Sequence, residues 1–207
     1  RAAALVSYAA SGSSIGYGPD SEKRAVEIFA RTPNQRTTIM RAPDGDRTTT
    51  YDGRRGWIAA PFRPVAVLEV AGQDLDGLRL DAELAFPSRI KQIAIQWRVG
   101  LATVIGDREV QVVQGTGTGG ATVTLNFDAE TGLLRRQIRY VNSPVGRIPT
   151  QVDYEDYRDV AGLKLPFKWT MTWLDGRDTI ELTEVRANAP VEDARFSRPA
   201  PPVRRSP

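Results

Sequence analysis

Apolar and polar residues alternate with a period of two along most of the chain, in short runs separated by turn residues. In residues 121–128, for example, Val123, Leu125 and Phe127 fall on one face. The runs are bounded by turn sequences such as Pro-Asp-Gly-Asp at 43–46. This alternation is typical of half-buried antiparallel strands, and it predicts about ten of them.

The segment from 73 to 97 has a different pattern. Its apolar residues recur at intervals of three and four, as at Leu75, Leu78 and Ala82, which fits a helix better than a strand. Pro87 is suited to the first turn of a second helix. We therefore predict two short helices, at about 74–85 and 87–96.

Together these elements predict a mainly β (α+β) fold: an open, curved antiparallel sheet with two short helices covering its concave face. One domain is expected over 1–188, with the helical insertion at about 74–96. From 189 to 207 the chain is rich in Pro and Arg and is expected to form an extended tail whose last eight residues are disordered.

The chain contains no histidine and no cysteine. This excludes Ser-His-Asp and Cys-His nucleophile systems, His-ligated zinc or iron, disulfides and Cys-x-x-Cys-His haem attachment. We therefore predict a protein that is not an enzyme and has no catalytic residues, no metal ligands and no cofactor.

The net charge of +3 is small, and the charged residues are spread along the chain. Such a distribution does not favour nucleic acid as a partner. No apolar run approaches the roughly 18 residues of a membrane-spanning helix. Neither nucleic-acid binding nor membrane spanning is expected.

Two polar motifs have structural explanations. The glycine-rich residues 115–120 resemble a phosphate loop, but a strand rather than a helix follows them, which favours a hairpin. The acidic cluster Asp153, Glu155, Asp156 and Asp159 could bind Ca²⁺ or supply an acid and a base. Pairing of these carboxylates with Arg135, Arg136 or Arg139 on a solvated face is the favoured interpretation.

Large apolar side chains suggest a ligand site. Trp169, Met171 and Trp173 share one face of one predicted strand, where they form either ordinary core or, in a curved sheet, the wall of a cavity for a lipid-like ligand. The complete set of candidate cavity residues is Trp57, Trp97, Trp169, Met171 and Trp173.

Four arginines form a candidate docking surface for an anion or a partner protein: Arg135, Arg136, Arg139 and Arg147. Strand alternation puts Arg135 and Arg139 on one face, opposite a core face with Leu134, Ile138 and Tyr140. The alternative is an ordinary exposed strand face.

Five motifs occur in an order that resembles a known family. They are Tyr-Asp-Gly-Arg-Arg-Gly-Trp at 51–57, Phe-Asp-Ala-Glu-Thr-Gly-Leu-Leu-Arg-Arg at 127–136, Asp-Tyr-Glu-Asp-Tyr-Arg at 153–158, Gly-Leu-Lys-Leu-Pro-Phe at 162–167, and Leu-Thr-Glu-Val-Arg-Ala-Asn at 182–188. This order resembles the C-terminal, non-haem domain of the photosynthetic reaction-centre cytochrome c subunit family, with a lipoprotein-carrier-like (LolA/LolB-like) half-barrel.

The resemblance implies a non-catalytic scaffold in the periplasm, peripheral to the inner membrane. Its implied partner is a membrane photosynthetic complex, through a cytochrome subunit, reaction-centre polypeptides or antenna polypeptides of the light-harvesting assembly. The chain lacks the family's Cys-x-x-Cys-His segment, so electron transfer through haem does not carry over. A scaffold predicts an interior filled with side chains.

The half-barrel resemblance implies a second hypothesis, a periplasmic carrier or sensor of a lipid or lipoprotein acyl chain. This hypothesis predicts an open apolar cavity lined by Trp169, Met171 and Trp173, with the segment 74–96 as its lid. A third hypothesis, an enzyme that uses the carboxylates of 153–159, is the least favoured.

Overall fold

The computed structural model describes residues 4–18, 21–61, 63–94, 96–117, 121–144 and 146–203. Six strands precede the helical segment: β1 (Ser7–Ile15), β2 (Lys23–Arg31), β3 (Gln35–Met40), β4 (Arg47–Tyr51), β5 (Gly56–Ala59) and β6 (Val67–Val70). Eight strands follow it: β7 (Gln96–Val99), β8 (Thr103–Ile105), β9 (Arg108–Thr116), β10 (Thr122–Asp128), β11 (Leu134–Ser143), β12 (Gly146–Val160), β13 (Leu163–Trp173) and β14 (Gly176–Ala187).

The strands of the described residues form one open antiparallel sheet, which confirms the predicted fold class. Its order is β6-β5-β4-β3-β2-β1-β14-β13-β12-β11-β10-β9-β7, and β8 pairs with β9 off this path. The sheet has fourteen strands rather than about ten. The two edge strands, β6 and β7, have only four residues each, too few to display a period of two.

The helical segment lies between β6 and β7. Helix α1 (Gly72–Leu84) corresponds to the first predicted helix. The second predicted helix, at 87–96, is instead a 3-10 helix over Pro87–Gln92, and the chain is already a strand at Gln96. Phe86, before the proline, is extended at φ −124° and ψ 92°, the conformation that a following proline favours, and it ends the first helix.

The helical segment crosses the sheet from edge to edge. Strands β6 and β7, which flank it in the chain, lie at opposite ends of the strand order. Helix α1 contacts β3 and β4 in one half of the sheet and β11 in the other. The face that bears the helix is called the inner face below, and the opposite side is the outer face.

Two apolar clusters occupy the inner face. The central cluster packs Phe86, from the turn after α1, against Tyr8 of β1, with ring centroids 5.8 Å apart. The lateral cluster lies between the helical segment and β10–β11, and its buried members are Leu80, Ile93, Val123, Leu125 and Leu134. Tyr154 packs against both clusters and joins them.

A β-bulge in β11 corrects the predicted faces of that strand. Asn126 pairs with Arg136 but Phe127 pairs with Leu134, so one extra residue lies in β11 at this point. Beyond the bulge the alternation is reversed. Arg139, opposite Val123, therefore lies on the inner face. Of the residues predicted for the core face, Ile138 lies on the outer face and Tyr140 is 42% exposed.

The chain after β14 packs on the outer face. A short 3-10 helix (Asp193–Phe196) lies against β3 and buries Phe196 to 1% exposure. Arg31 holds this segment through an ion pair to Asp193 at 2.6 Å and places its guanidinium carbon 4.9 Å from the centre of the Phe196 ring. Disorder was expected for residues 200–207, of which 204–207 lie outside the described residues.

We expect Phe196→Ala to lower the free energy of unfolding by about 3–5 kcal/mol, because it removes a fully buried ring and leaves a cavity. Urea denaturation followed by circular dichroism measures the change. The control Val203→Ala, on a side chain that is 79% exposed, should change stability by no more than about 0.5 kcal/mol. Equal, small effects of both substitutions would show that the segment does not stabilise the sheet.

Candidate functional site

An apolar cavity of about 770 Å³ lies between the helical segment and strands β9–β13. Its size is within the usual range for small-molecule sites, about 300–1,000 Å³. The 3-10 helix covers it. Its apolar wall includes Leu84, Ile90, Trp97, Phe127, Leu134 and Tyr154.

Gly115 of β9 provides the space for one wall of the apolar cavity. A methyl group on Gly115 would lie 2.8 Å from Cζ3 of Trp97, so only glycine allows this ring to lie flat on the strand. The Trp97 indole Nε1 donates a hydrogen bond to the backbone oxygen of Lys91 at 3.2 Å, which ties β7 to the 3-10 helix. Of the glycine-rich residues 115–120, for which a hairpin was predicted, residues 118–120 lie outside the described residues.

Two tyrosines of β12 line the apolar cavity. The Tyr154 hydroxyl donates to Oε1 of Gln137 at 3.2 Å, and the Tyr157 hydroxyl donates to the backbone oxygen of Leu134 at 2.5 Å. Residues three apart on a regular strand point to opposite faces. Asp156, between the two tyrosines, has φ +51°, which is not a strand conformation. The regular alternation is interrupted at this residue, and Tyr154 and Tyr157 both line the cavity.

Burial keeps both phenols neutral. Desolvation raises the pKa of Tyr154 well above its ordinary value of 10.0, and it also raises the pKa of Tyr157. Their hydroxyl groups are satisfied by protein acceptors. The two tyrosines therefore contribute an uncharged wall to the apolar cavity.

A polar network anchors α1 to both halves of the sheet through one helical residue, Asp81. Arg36 of β3 donates to the backbone oxygen of Asp81 at 2.9 Å. On the opposite side, Nε2 of the fully buried Gln137 donates to Oδ1 of Asp81 at 3.4 Å, and Gln137 also accepts the bond from Tyr154. The guanidinium carbon of Arg36 lies 5.8 Å from the centre of the Trp169 ring.

Apolar side chains are exposed on and after β7, the edge strand that contributes Trp97 to the apolar cavity. Val99 of β7 pairs with Val113 of β9, which lines the cavity, and Val99 is 74% exposed. Leu101 and Val104 follow it and are 91% and 64% exposed. An apolar surface thus continues from the cavity wall to the edge of the sheet.

A second, polar cavity of about 450 Å³ lies between the N-terminal part of α1 and β10–β11. Its charged lining residues are Asp76, Arg79, Glu83, Arg139 and Arg147. Leu80, Ile93 and Val123 also contribute to its wall. All three belong to the lateral cluster, which therefore supplies side chains to both cavities.

The structure does not bring the five predicted cavity residues together. Trp97 lines the apolar cavity, whereas Trp169 and Met171 belong to the central cluster. Trp57 lies on the outer face in a small cluster with Ala59 and Val67. The ring of Trp173 lies over Gly176 at the end of β13, where a methyl group would come within 2.5 Å of Cζ2.

The four predicted docking arginines are also divided. Arg136 forms an ion pair with Asp153 at 2.5 Å, and both residues are paired across β11 and β12 on the outer face. Arg139 and Arg147 line the second cavity. Arg135 lies near Tyr157, and its positive charge partly offsets the rise that burial causes in the pKa of Tyr157.

The acidic cluster is neutralised by pairing. Of the three arginines expected as partners, Arg136 pairs with Asp153. The other carboxylates pair with cations that were not predicted: Lys168 (Glu155), Arg158 (Asp156) and Lys164 (Asp159). The Arg158 guanidinium lowers the pKa of Asp156. Among the described residues no group of three or more carboxylates has the arrangement of a metal site.

Sequence patterns did not identify the tyrosines as cavity residues. Tyr154 and Tyr157 stand within the acidic cluster, where alternation assigns them to opposite faces. Aromatic residues interleaved with the carboxylates were the signal that they have a buried role. Leu84 and Ile90 line the apolar cavity because of the path that the helical segment takes across the sheet. No local sequence pattern predicts that path.

Comparison with solved structures identifies similar folds. A domain of Vibrio parahaemolyticus named for outer membrane lipoprotein sorting matches with a TM-score of 0.65 and 12% identity over 92% of this chain and 89% of that one. A LolA superfamily protein of Nitrosomonas europaea matches with a TM-score of 0.63 and 14% identity, over 93% and 90% of the two chains. A DUF1329 family protein of Desulfovibrio piger matches with a TM-score of 0.66 and 11% identity, over 93% and 90%.

At these identities the comparisons establish a LolA-like fold. Comparison with protein-family models and with curated proteins finds no match. None of the three similar structures is a reaction-centre protein, so the resemblance to the cytochrome subunit family has no support here. Within the described residues, no helix has both the length and the apolar character needed to cross a bilayer.

We expect the stability of the protein to fall as the pH rises above about 10. Tyr154 and Tyr157 have raised pKa values when folded, so between the unfolded value of about 10 and the folded value the unfolded chain binds fewer protons. Each such group then costs about 1.4 kcal/mol of stability per pH unit.

Urea midpoints at pH 8, 9, 10 and 11 measure this dependence. The double substitution Tyr154→Phe/Tyr157→Phe should reduce the slope above pH 10, although the buried Tyr8 will retain part of it. Tyr140→Phe, at a tyrosine that is 42% exposed, is the matched control and should leave the slope unchanged. Identical slopes in the double variant and the unsubstituted protein would contradict the assignment.

Proposed function

We propose that the protein is a non-catalytic carrier or sensor of a lipid or lipoprotein acyl chain, which binds in the apolar cavity. The observation that carries this proposal is the cavity itself: about 770 Å³, beneath a helical segment, with a mainly apolar wall in which Lys91 and Lys164 are the charged residues. A scaffold was expected to have a filled interior, so the cavity favours the carrier hypothesis over the photosynthetic scaffold.

The apolar wall supplies enough free energy for such a ligand. Burying a methylene group contributes about 0.8 kcal/mol, so ten methylenes contribute about 8 kcal/mol before the cost of association. The exposed Val99, Leu101 and Val104, on and after edge strand β7, would offer an apolar contact to a lipid surface. Trp169 and Met171, which were predicted to line the cavity, belong to the central cluster instead.

A periplasmic location is part of the proposal. It is supported by the shared fold of a domain named for outer membrane lipoprotein sorting. The absence of enzyme activity is likewise proposed, because the acidic residues that could act as acid and base are paired with cations.

The proposal predicts saturable binding of N-phenyl-1-naphthylamine, an uncharged apolar probe, with displacement by 1-dodecanol. Val113→Trp introduces a large ring into the cavity wall and should weaken binding at least tenfold. Fluorescence titration of the probe measures both effects.

Leu174→Trp is the matched control, because it adds the same ring at a side chain that is 75% exposed and lies outside the cavity. Its affinity should equal that of the unsubstituted protein. Circular dichroism confirms that each variant is folded. Absence of saturable binding, or unchanged affinity in a folded Val113→Trp variant, would rule out the apolar cavity as the ligand site.

A further inference from the structure

Two arginines of the second cavity, Arg139 and Arg147, form no ion pair with a carboxylate of the described residues. We propose that it binds an anionic oxygen group, a phosphate or a carboxylate, between Arg139 and Arg147. This site is separate from the apolar cavity, and its existence does not depend on the ligand proposed there.

Arg139 is the central residue of the proposed site. The bulge in β11 places it on the inner face, beneath α1. Its guanidinium lies flat against Gly77, where a methyl group would come within 2.6 Å of Cζ. No ion pair or hydrogen bond joins its guanidinium to another described side chain. A guanidinium that is partly removed from water gains most from an oxyanion, because its planar fork matches two oxygen atoms.

Arg147 lies at the opposite wall of the second cavity. Its guanidinium carbon is 4.4 Å from the centre of the Tyr140 ring, and its Nη2 is 3.5 Å from Oγ1 of Thr122. Both partners are uncharged. These contacts leave the positive charge of the guanidinium available to a ligand.

The remaining charges of the cavity leave an excess of positive charge. Arg79 and Glu83 neutralise each other across 2.9 Å, one helical turn apart. Asp76 is exposed on the first turns of α1 and opposes two arginines, Arg139 and Arg147. The net charge favours an anion, and Asp76 limits its affinity.

The wall below the arginines is apolar. Leu80, Ile93 and Val123 provide a surface against which a hydrocarbon group attached to the anion could pack. The same oxyanion chemistry is found in the head group of an amphiphile and in a small free anion. These two sources differ in whether the apolar wall contributes to binding.

Isothermal titration with inorganic phosphate and with dodecyl phosphate below its micellar concentration tests the proposal. We expect Arg139→Met and Arg147→Met each to weaken binding about tenfold or more, since each removes a charge-assisted contact. Asp76→Asn should strengthen binding, because it removes a repulsive charge. The control Arg135→Met, on the same strand but outside the cavity, should bind as the unsubstituted protein does.

The two ligands identify the source of the anion. At least tenfold tighter binding of dodecyl phosphate would support an amphiphile head group, and equal affinities would support a small free anion. Failure of both ligands to bind, or equal affinity in the Arg139→Met and Arg135→Met variants, would overturn the proposal. Arg147 is exposed at the rim, so its variant tests the site even if Arg139→Met does not fold.

The same variants separate this proposal from the proposed carrier function. Arg139→Met should retain the affinity for N-phenyl-1-naphthylamine, and Val113→Trp should retain the affinity for inorganic phosphate. If the protein binds phosphate but not N-phenyl-1-naphthylamine, the carrier function is refuted and the anion site stands. If it binds N-phenyl-1-naphthylamine but neither phosphate ligand, the anion site is refuted and the carrier function stands.

Discussion

The helical segment must cross the whole inner face, because the strands on either side of it occupy opposite edges of the sheet. This connection spans the open, curved sheet from one edge to the other and contacts both of its halves. Asp81 is the fixed point of the crossing, since its backbone oxygen is bound from β3 and its carboxylate from β11. Its neighbours therefore determine how closely the helix approaches each half of the sheet.

Both cavities follow from this arrangement. A straight helix cannot fill a curved surface along its full length, so space remains beside it near each end. Beside the 3-10 helix, the wall of the apolar cavity is mainly aliphatic and aromatic. Near the N-terminal half of α1 the wall is formed by arginines and carboxylates. One cluster, which includes Leu80 and Ile93, supplies the partition between two chemically different environments.

Sequence patterns predicted the antiparallel sheet, its helical insertion and the pairing of Asp153, because these features depend on local periodicity and charge. The four-residue edge strands were missed, since so few residues show no periodicity. A single extra residue in β11 exchanged the faces of Arg139 and Ile138, and nothing in the sequence marks it. The cavity residues were only partly predicted: Trp97 lines it, but Trp57 lies on the outer face, because the order of strands decides which aromatic residues meet.

Strands β1 and β14 are neighbours at the centre of the sheet, where Tyr8 pairs with Ala187. The first and last strands of this sheet along the chain therefore close the middle of the sheet rather than its edges. Until β14 has left the ribosome, the chain holds two partial sheets joined only by the helical segment, each with an unpaired strand. Such long-range pairing slows folding and exposes strand edges that can associate with other chains. The sheet is thus completed only by β14, and a chain interrupted before Gly176 retains both halves of the sheet without the strand pairing that unites them.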